Sequence, residues 1–186
     1  FGTSGEAGPQ RKRFWTEAQE RGRVSKSLWT DVDTTANGTS YLEALVGKKV
    51  FTNPKPVDLI RRFIQLGTSN DRDIVLDFFG GSGTTAEAVL RQNLEDDKKR
   101  NFIFVTLPEP IDDSTQAGKN AKALKCETIA EVARIRIIKA IDKIKSDIKS
   151  KGDLFKTKDI SQFDLGFKHL SCKESNFKIW RGDMVG

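Results

Sequence analysis

The chain has 186 residues, 37% of them hydrophobic and 31% charged, which suits one soluble globular domain, or one with an appendage, large enough to bury a core. No apolar run reaches the length needed to cross a bilayer, and Arg11-Lys12-Arg13 leads into no apolar stretch, so neither a membrane span nor a signal peptide is read and a cytoplasmic location is expected. Cys126, Cys172 and the single histidine, His169, stand apart and assemble no conventional metal site, while a net charge of +6 and a pI near 9.3 suit a polyanionic partner without requiring one.

Residues 1 to 38 are rich in Gly, Thr and Arg, lack sustained periodicity and begin without a methionine. We read residues 1–47 as a basic N-terminal segment ending a larger upstream region, and 48–186 as the main domain. Arg11, Lys12, Arg13, Arg21, Arg23 and Lys26, interleaved with Phe14 and Trp15, suit either contact with a phosphate backbone or a basic connector whose tryptophans, Trp15 and Trp29, pack on the domain. Tyr41 to Gly47 predicts a short helix ended by its glycine. Phe51 to Pro56 is extended, since each proline biases the residue before it away from helix. A helix then follows, with Pro56 in its first turn, Leu59, Ile60, Phe63 and Ile64 on its buried face, and Gly67 stopping it.

Asp73 to Phe79 is short, apolar and β-branched, and reads as an interior strand of a parallel sheet. It runs into Gly80-Gly81-Ser82-Gly83, and from there into a helix that Thr84 or Thr85 can cap and whose packing face is Ala86, Val89, Leu90 and Leu94. Three glycines in four residues allow a sharp turn and the approach of a ligand without a Cβ in the way, at a helix N-terminus with free N–H groups. The spacing is not G-x-G-x-x-G, and no phosphate-binding lysine follows, so a dinucleotide and a P-loop are disfavoured and another nucleoside-type ligand remains.

Glu95 to Arg100 reads as a solvated charged turn and Asn101 to Leu107 as a second buried strand, completing a βαβ unit. Sites of this kind place an acid at the end of the second strand for ribose hydroxyls; Thr106 holds that place here and Glu109 is the nearest carboxylate. Asp112 to Lys122 is polar and reads as a loop. Ile129, Ala133, Ile137, Ile141, Ile144 and Ile148 define a long helical stripe, with Arg134, Arg136, Lys139, Lys143, Lys145, Lys149 and Lys151 mostly off it, facing solvent or DNA. Asp164 to Leu170 and Ser175 to Trp180 read as two further strands around a turn.

The stretch Asp77-Phe78-Phe79-Gly80-Gly81-Ser82-Gly83-Thr84-Thr85 resembles motif I of the DNA amino-methyltransferases, D-x-F-x-G-S-G-T-T, with Asp77, Phe79, Gly81, Ser82, Gly83, Thr84 and Thr85 matching. Lys55-Pro56, upstream in the family's order, is similar to motif X, which lines the methionine end of the cofactor. Leu107-Pro108-Glu109-Pro110, Leu165-Gly166-Phe167 and Ser175 to Trp180 look like the modification subunits of type III restriction systems, which are of the β-class. The resemblance implies an α/β fold: a partial Rossmann-like methyltransferase sheet with helices on both faces. Its cofactor would be S-adenosylmethionine, held by Lys55, Pro56, Asp77, Phe78, Phe79, Gly80, Gly81, Ser82, Gly83, Thr84, Thr85 and Glu109, with Asp77 accepting from the cofactor's ammonium.

It further implies a double-stranded DNA substrate, methylated at an exocyclic base amine, that of adenine by the type III likeness, with a restriction (helicase and nuclease) subunit and a second modification subunit as partners. Such enzymes also need a D-P-P-Y-type motif to hold the extruded base. This chain has no Pro-Pro pair. In the β-arrangement that motif precedes motif X, so the chain is expected to be the cofactor half alone, inactive by itself, with no catalytic residue, and with an apolar patch on one side of its sheet. A non-catalytic methyltransferase-like module that holds a partner subunit or DNA is the alternative.

Overall fold

The computed structural model describes residues 14–17, 25–150 and 163–173. In chain order these form α1 (Thr35–Val46), α2 (Val57–Gly67), β1 (Ile74–Asp77), α3 (Thr84–Asp96), β2 (Asn101–Phe104), α4 (Gln116–Ala123) and α5 (Ile129–Ser150). The fold is mixed α/β. β1 and β2 pair in parallel, from Ile74 opposite Asn101 to Asp77 opposite Phe104, with α3 as the crossover the sequence predicts.

Both strands are shorter than their apolar runs because Phe78 and Phe79 already turn away into the glycine loop. They are also buried on one face only. Val75, Phe102 and Phe104 face the helices, packed against Ile64, Ala88, Val89, Ala86 and Leu90. On the other face Ile74, Leu76 and Ile103 are 61%, 49% and 51% exposed. The expectation of helices on both faces therefore holds for one face among the described residues, and the expected apolar patch is present on the other. Exposed Phe78, Phe79, Val105 and Leu107 extend the apolar surface beyond the strand ends.

Local chemistry sets the helix ends. The Thr34 side chain caps α1 by accepting from the Asn37 N–H at 3.3 Å, so the helix begins at Thr35 rather than Tyr41. Its end is as predicted: Gly47 adopts φ +87° and its N–H donates to the Glu43 carbonyl at 2.7 Å. Pro56 caps α2 and Gly67 is its last residue, not a left-handed stop. Of the face predicted for α2 only Ile64 is buried; Phe63 is exposed beside the Trp29 ring, 5.3 Å away, so this tryptophan does pack on the domain while Trp15 stays exposed. Neither Thr84 nor Thr85 caps α3, because Gly83 at φ +81° takes the cap position.

The expected charged turn is partly helix and partly core. Asp96 ends α3, and the Arg100 guanidinium is buried, donating to both Asp96 carboxylate oxygens at 2.9 and 2.7 Å and to Thr68 Oγ1 at 2.7 Å. The stretch expected to be a loop, Asp112 to Lys122, instead holds most of α4, started by Thr115, whose Oγ1 accepts from the Gly118 N–H at 3.0 Å. The long stripe of α5 is buried as predicted through Ala133, Ile137, Ile141 and Ile144, yet Arg136, expected on the basic face, is buried with it. Residues 163–173 form no strand; Leu165 instead inserts beside Ala86, Leu90, Ile137 and Ile144. The predicted strand at Ser175 to Trp180 and the basic residues Arg11 to Arg23 lie outside the described residues. A second cluster joins Leu42, Val50, Ile111, Ala121, Cys126 and Val132. Among the described residues no helix is long and apolar enough to cross a membrane.

Candidate cofactor site

The glycine turn leaves the carboxyl end of β1, where ligands of parallel α/β sheets bind. Its glycines answer to different constraints. Gly81 at φ +48° and Gly83 at φ +81° occupy the left-handed region, whereas a Cβ on Gly80 would fall on the Phe104 ring. A Cβ on Gly81 would have room, its nearest neighbour being the Phe51 ring at 3.5 Å.

The turn is tied from within and from outside. Asp77 Oδ1 accepts from the Phe79 N–H at 3.0 Å and Oδ2 from the Thr85 hydroxyl at 2.5 Å. The Gly80 N–H donates to the Val105 carbonyl at 3.0 Å, and Gly83 N–H to the Gly80 carbonyl at 2.8 Å. The Thr84 hydroxyl donates to the Lys55 carbonyl at 3.3 Å, which brings Lys55-Pro56 against the turn as the sequence order suggests. Pro56 is buried there and the Lys55 side chain is exposed. Gly38 of α1 backs this strap so closely that a Cβ would stand 2.7 Å from the Pro54 carbonyl oxygen.

Phe78 and Phe79 flank the turn in the open, Phe79 at 94% exposure. Glu109 is separate. It is exposed beyond β2, its carbonyl accepts from the Ile129 N–H at 2.9 Å, and among the described residues nothing links its carboxylate to the turn.

Behind the turn lies a buried polar network that sequence reasoning missed. Arg136 Nη1 donates to Ser82 Oγ at 3.0 Å and Thr84 Oγ1 at 2.6 Å, while Nε donates to Glu87 Oε2 at 3.1 Å. Glu87 Oε1 also accepts from Arg91 Nε at 2.9 Å and from the Tyr41 hydroxyl. Burial and then the Glu87 carboxylate push the Tyr41 phenol up to about 12, and burial pulls Arg136 down against the opposing pull of Glu87. A signal was available: Arg136 falls between Ala133 and Ala140, inside the apolar stripe by spacing of three and four. Glu87 likewise sits among Ala86, Ala88 and Val89.

Residues 4–146 match the family profile of the DNA methylases, which is most of the chain. The chain is 34% identical over 169 residues to the type III restriction-modification enzyme StyLTI Mod subunit of Salmonella typhimurium (strain LT2), covering 91% of this chain and 23% of that protein. It is 43% identical over 113 residues to the EcoPI Mod subunit of Escherichia phage P1, covering 60% and 17%, and 36% identical over 87 residues to the type II methyltransferase M.KpnI of Klebsiella pneumoniae, covering 46% and 21%. The chain thus spans under a quarter of each of these relatives. With that match running through the strap and the glycine turn, the chain belongs to the DNA methylase family.

Proposed function

We propose that this chain supplies the S-adenosylmethionine-binding half of a site-specific DNA methyltransferase of the type III modification kind, acting on an exocyclic amine of adenine within a restriction-modification system. The observation that carries the reading is the glycine turn at the end of β1, anchored by Lys55, Val105 and Arg136, with Gly81 half-buried and Phe78 and Phe79 exposed beside it. The two strands and their crossover are read as part of a Rossmann-like sheet spanning residues 48–186. The cofactor supplies an electrophilic methyl group on a sulfonium. The chain's own groups bind and orient: the first-turn N–H groups of α3, which a helix leaves without intrahelical acceptors, suit its carboxylate, and Asp77 suits its ammonium. Lys55, Pro56, Phe78, Phe79 and Gly80 to Thr85 are the residues assigned to the cofactor; Glu109, the carboxylate nearest the end of β2, stands apart from the turn and is given no ribose contact.

Double-stranded DNA, a restriction subunit and a second modification subunit are the proposed partners, in the cytoplasm. No Pro-Pro-type motif is present to hold an extruded base, so the proximity contribution, worth roughly 7–11 kcal/mol, is forfeited. Purified residues 1–186 are therefore expected to transfer no tritiated methyl to mixed-sequence duplex DNA; turnover above background would overturn the assignment of this chain to a half without catalytic groups. The open apolar face of the sheet favours a second reading, a partner-holding module. Calorimetry separates the two, since such a module has no need to bind S-adenosylmethionine.

A further inference from the structure

Arg136 sits 54 residues downstream of Ser82, yet its side chain is wholly buried and reaches three residues of the corner where the glycine turn becomes α3. It meets Ser82, Thr84 and, one turn into the helix, Glu87. Among the described residues its Nη2 is the buried side-chain nitrogen left without a partner. Stability alone does not account for such a group. Placing a guanidinium and a carboxylate in the interior costs several kcal/mol per ion before their attraction is counted, and apolar replacements of similar volume are often neutral or better. An apolar side chain between Ala133 and Ala140 would simply continue the stripe of α5.

What the guanidinium does that no apolar residue does is to set hydroxyl directions. Arginine only donates, so Ser82 and Thr84 must turn lone pairs towards Nη1. With its oxygen accepting from Arg136 at 2.6 Å, Thr84 sends its own proton to the Lys55 carbonyl at 3.3 Å. One cation thereby fixes the glycine turn, the start of α3 and the Lys55-Pro56 strap in a single register.

We propose that Arg136 is a positioning residue for the cofactor, acting through Thr84 on both segments that line the site; this rests on the cofactor reading above. The test is a double-mutant cycle on S-adenosylmethionine affinity in the intact enzyme, by calorimetry at 25 °C, with melting temperatures measured alongside. Arg136→Lys keeps the charge but not the fork, and should weaken binding tenfold or more. Thr84→Val removes the acceptor, and the double variant should bind no worse than the weaker single variant. Affinity unchanged in Arg136→Lys, or losses that simply add, overturns the proposal. If Arg136→Lys does not fold, Arg136→Met with Glu87→Gln removes both ions of that pair, losing also the Glu87–Arg91 pair; below its own melting transition it should lose tenfold in affinity, and wild-type affinity there refutes the role. Failure of the wild type itself to bind would overturn the cofactor reading, and this inference with it, which is a different result from a binding wild type with an indifferent Arg136.

Discussion

Asp77→Asn asks whether the carboxylate serves a ligand or only the turn. Each of its oxygens already accepts one bond, from the Phe79 N–H at 3.0 Å and from the Thr85 hydroxyl at 2.5 Å. Each oxygen also has a second lone pair, so the group has capacity for a further donor. In the asparagine variant the amide oxygen can keep Phe79, and Thr85 can turn its hydroxyl to accept from the new amide N–H, so the turn survives. What it loses is charge assistance on those bonds, about 1 kcal/mol, which corresponds to a fall in melting temperature of about 2–4 °C for a domain of this size. A cofactor ammonium would lose much more, since a hydrogen bond to a charged group contributes about 1.5–3 kcal/mol, or about 10- to 150-fold in affinity. Calorimetric titration of the intact enzyme with S-adenosylmethionine reads the difference. Thr85→Val serves as the control, because it deletes the tie and leaves the charge. Affinity within about twofold of wild type in Asp77→Asn, together with a lowered melting temperature, would refute the ligand role and leave Asp77 as a tie for the turn.

Gly81→Val forces a β-branched residue to φ +48°, at about 1–2 kcal/mol of strain, and fills the open side of the turn, so cofactor binding should be lost; unchanged calorimetric affinity would show that the ligand does not approach there. Arg100→Met removes a buried guanidinium with its bonds to Thr68 and to an Asp96 that itself stands at the surface, and should destabilise by about 1.5–3 kcal/mol, or roughly 3–12 °C in melting temperature, read by calorimetric scanning. The same pair predicts an acid slope: the Arg100 hydrogen bonds hold Asp96 down to about 2 from 3.8, so its contribution is complete above about pH 4 and is lost as the pH falls towards 2, and urea unfolding should show Arg100→Met flattening that segment. Residues 1–186 alone should self-associate in light scattering through Ile74, Leu76 and Ile103, and Leu76→Lys with Ile103→Lys should suppress it; a monodisperse monomer of the unsubstituted chain would count against an adhesive face.

The parts legible in the sequence were those set by local chemistry. A β-branched run ending in glycines can be little other than a strand entering a turn, and the left-handed Gly47, Gly81 and Gly83 follow from a missing Cβ. Misreadings came where one capping hydroxyl or one distant partner decided. Thr34 and Thr115 extend helical structure into polar stretches without an apolar stripe, which periodicity cannot register. Arg100 and Arg136 look like surface charges because their remote acceptors, Thr68 for Arg100 and Glu87, Ser82 and Thr84 for Arg136, become neighbours only once the helices pack. The apolar residues of the two strands run without alternation, a pattern that predicts burial on both faces. That pattern reports that both faces are apolar, not that both are covered.

The division of labour within the site follows from this. The glycine turn is a local motif, but its conformation is held by groups remote in sequence: the Lys55 carbonyl, the Val105 carbonyl and the Arg136 guanidinium. None of these contacts exists until α2, β2 and α5 have taken their places, so the cradle is assembled by the tertiary fold and not by the peptide. A ligand that binds only the assembled cradle stabilises the whole domain by mass action, about 2.7 kcal/mol at a concentration a hundred times its Kd. Three anchors on separate elements leave the backbone of Gly80 to Thr84 little freedom to lose, and a preorganised site keeps the affinity that an ordering loop would spend.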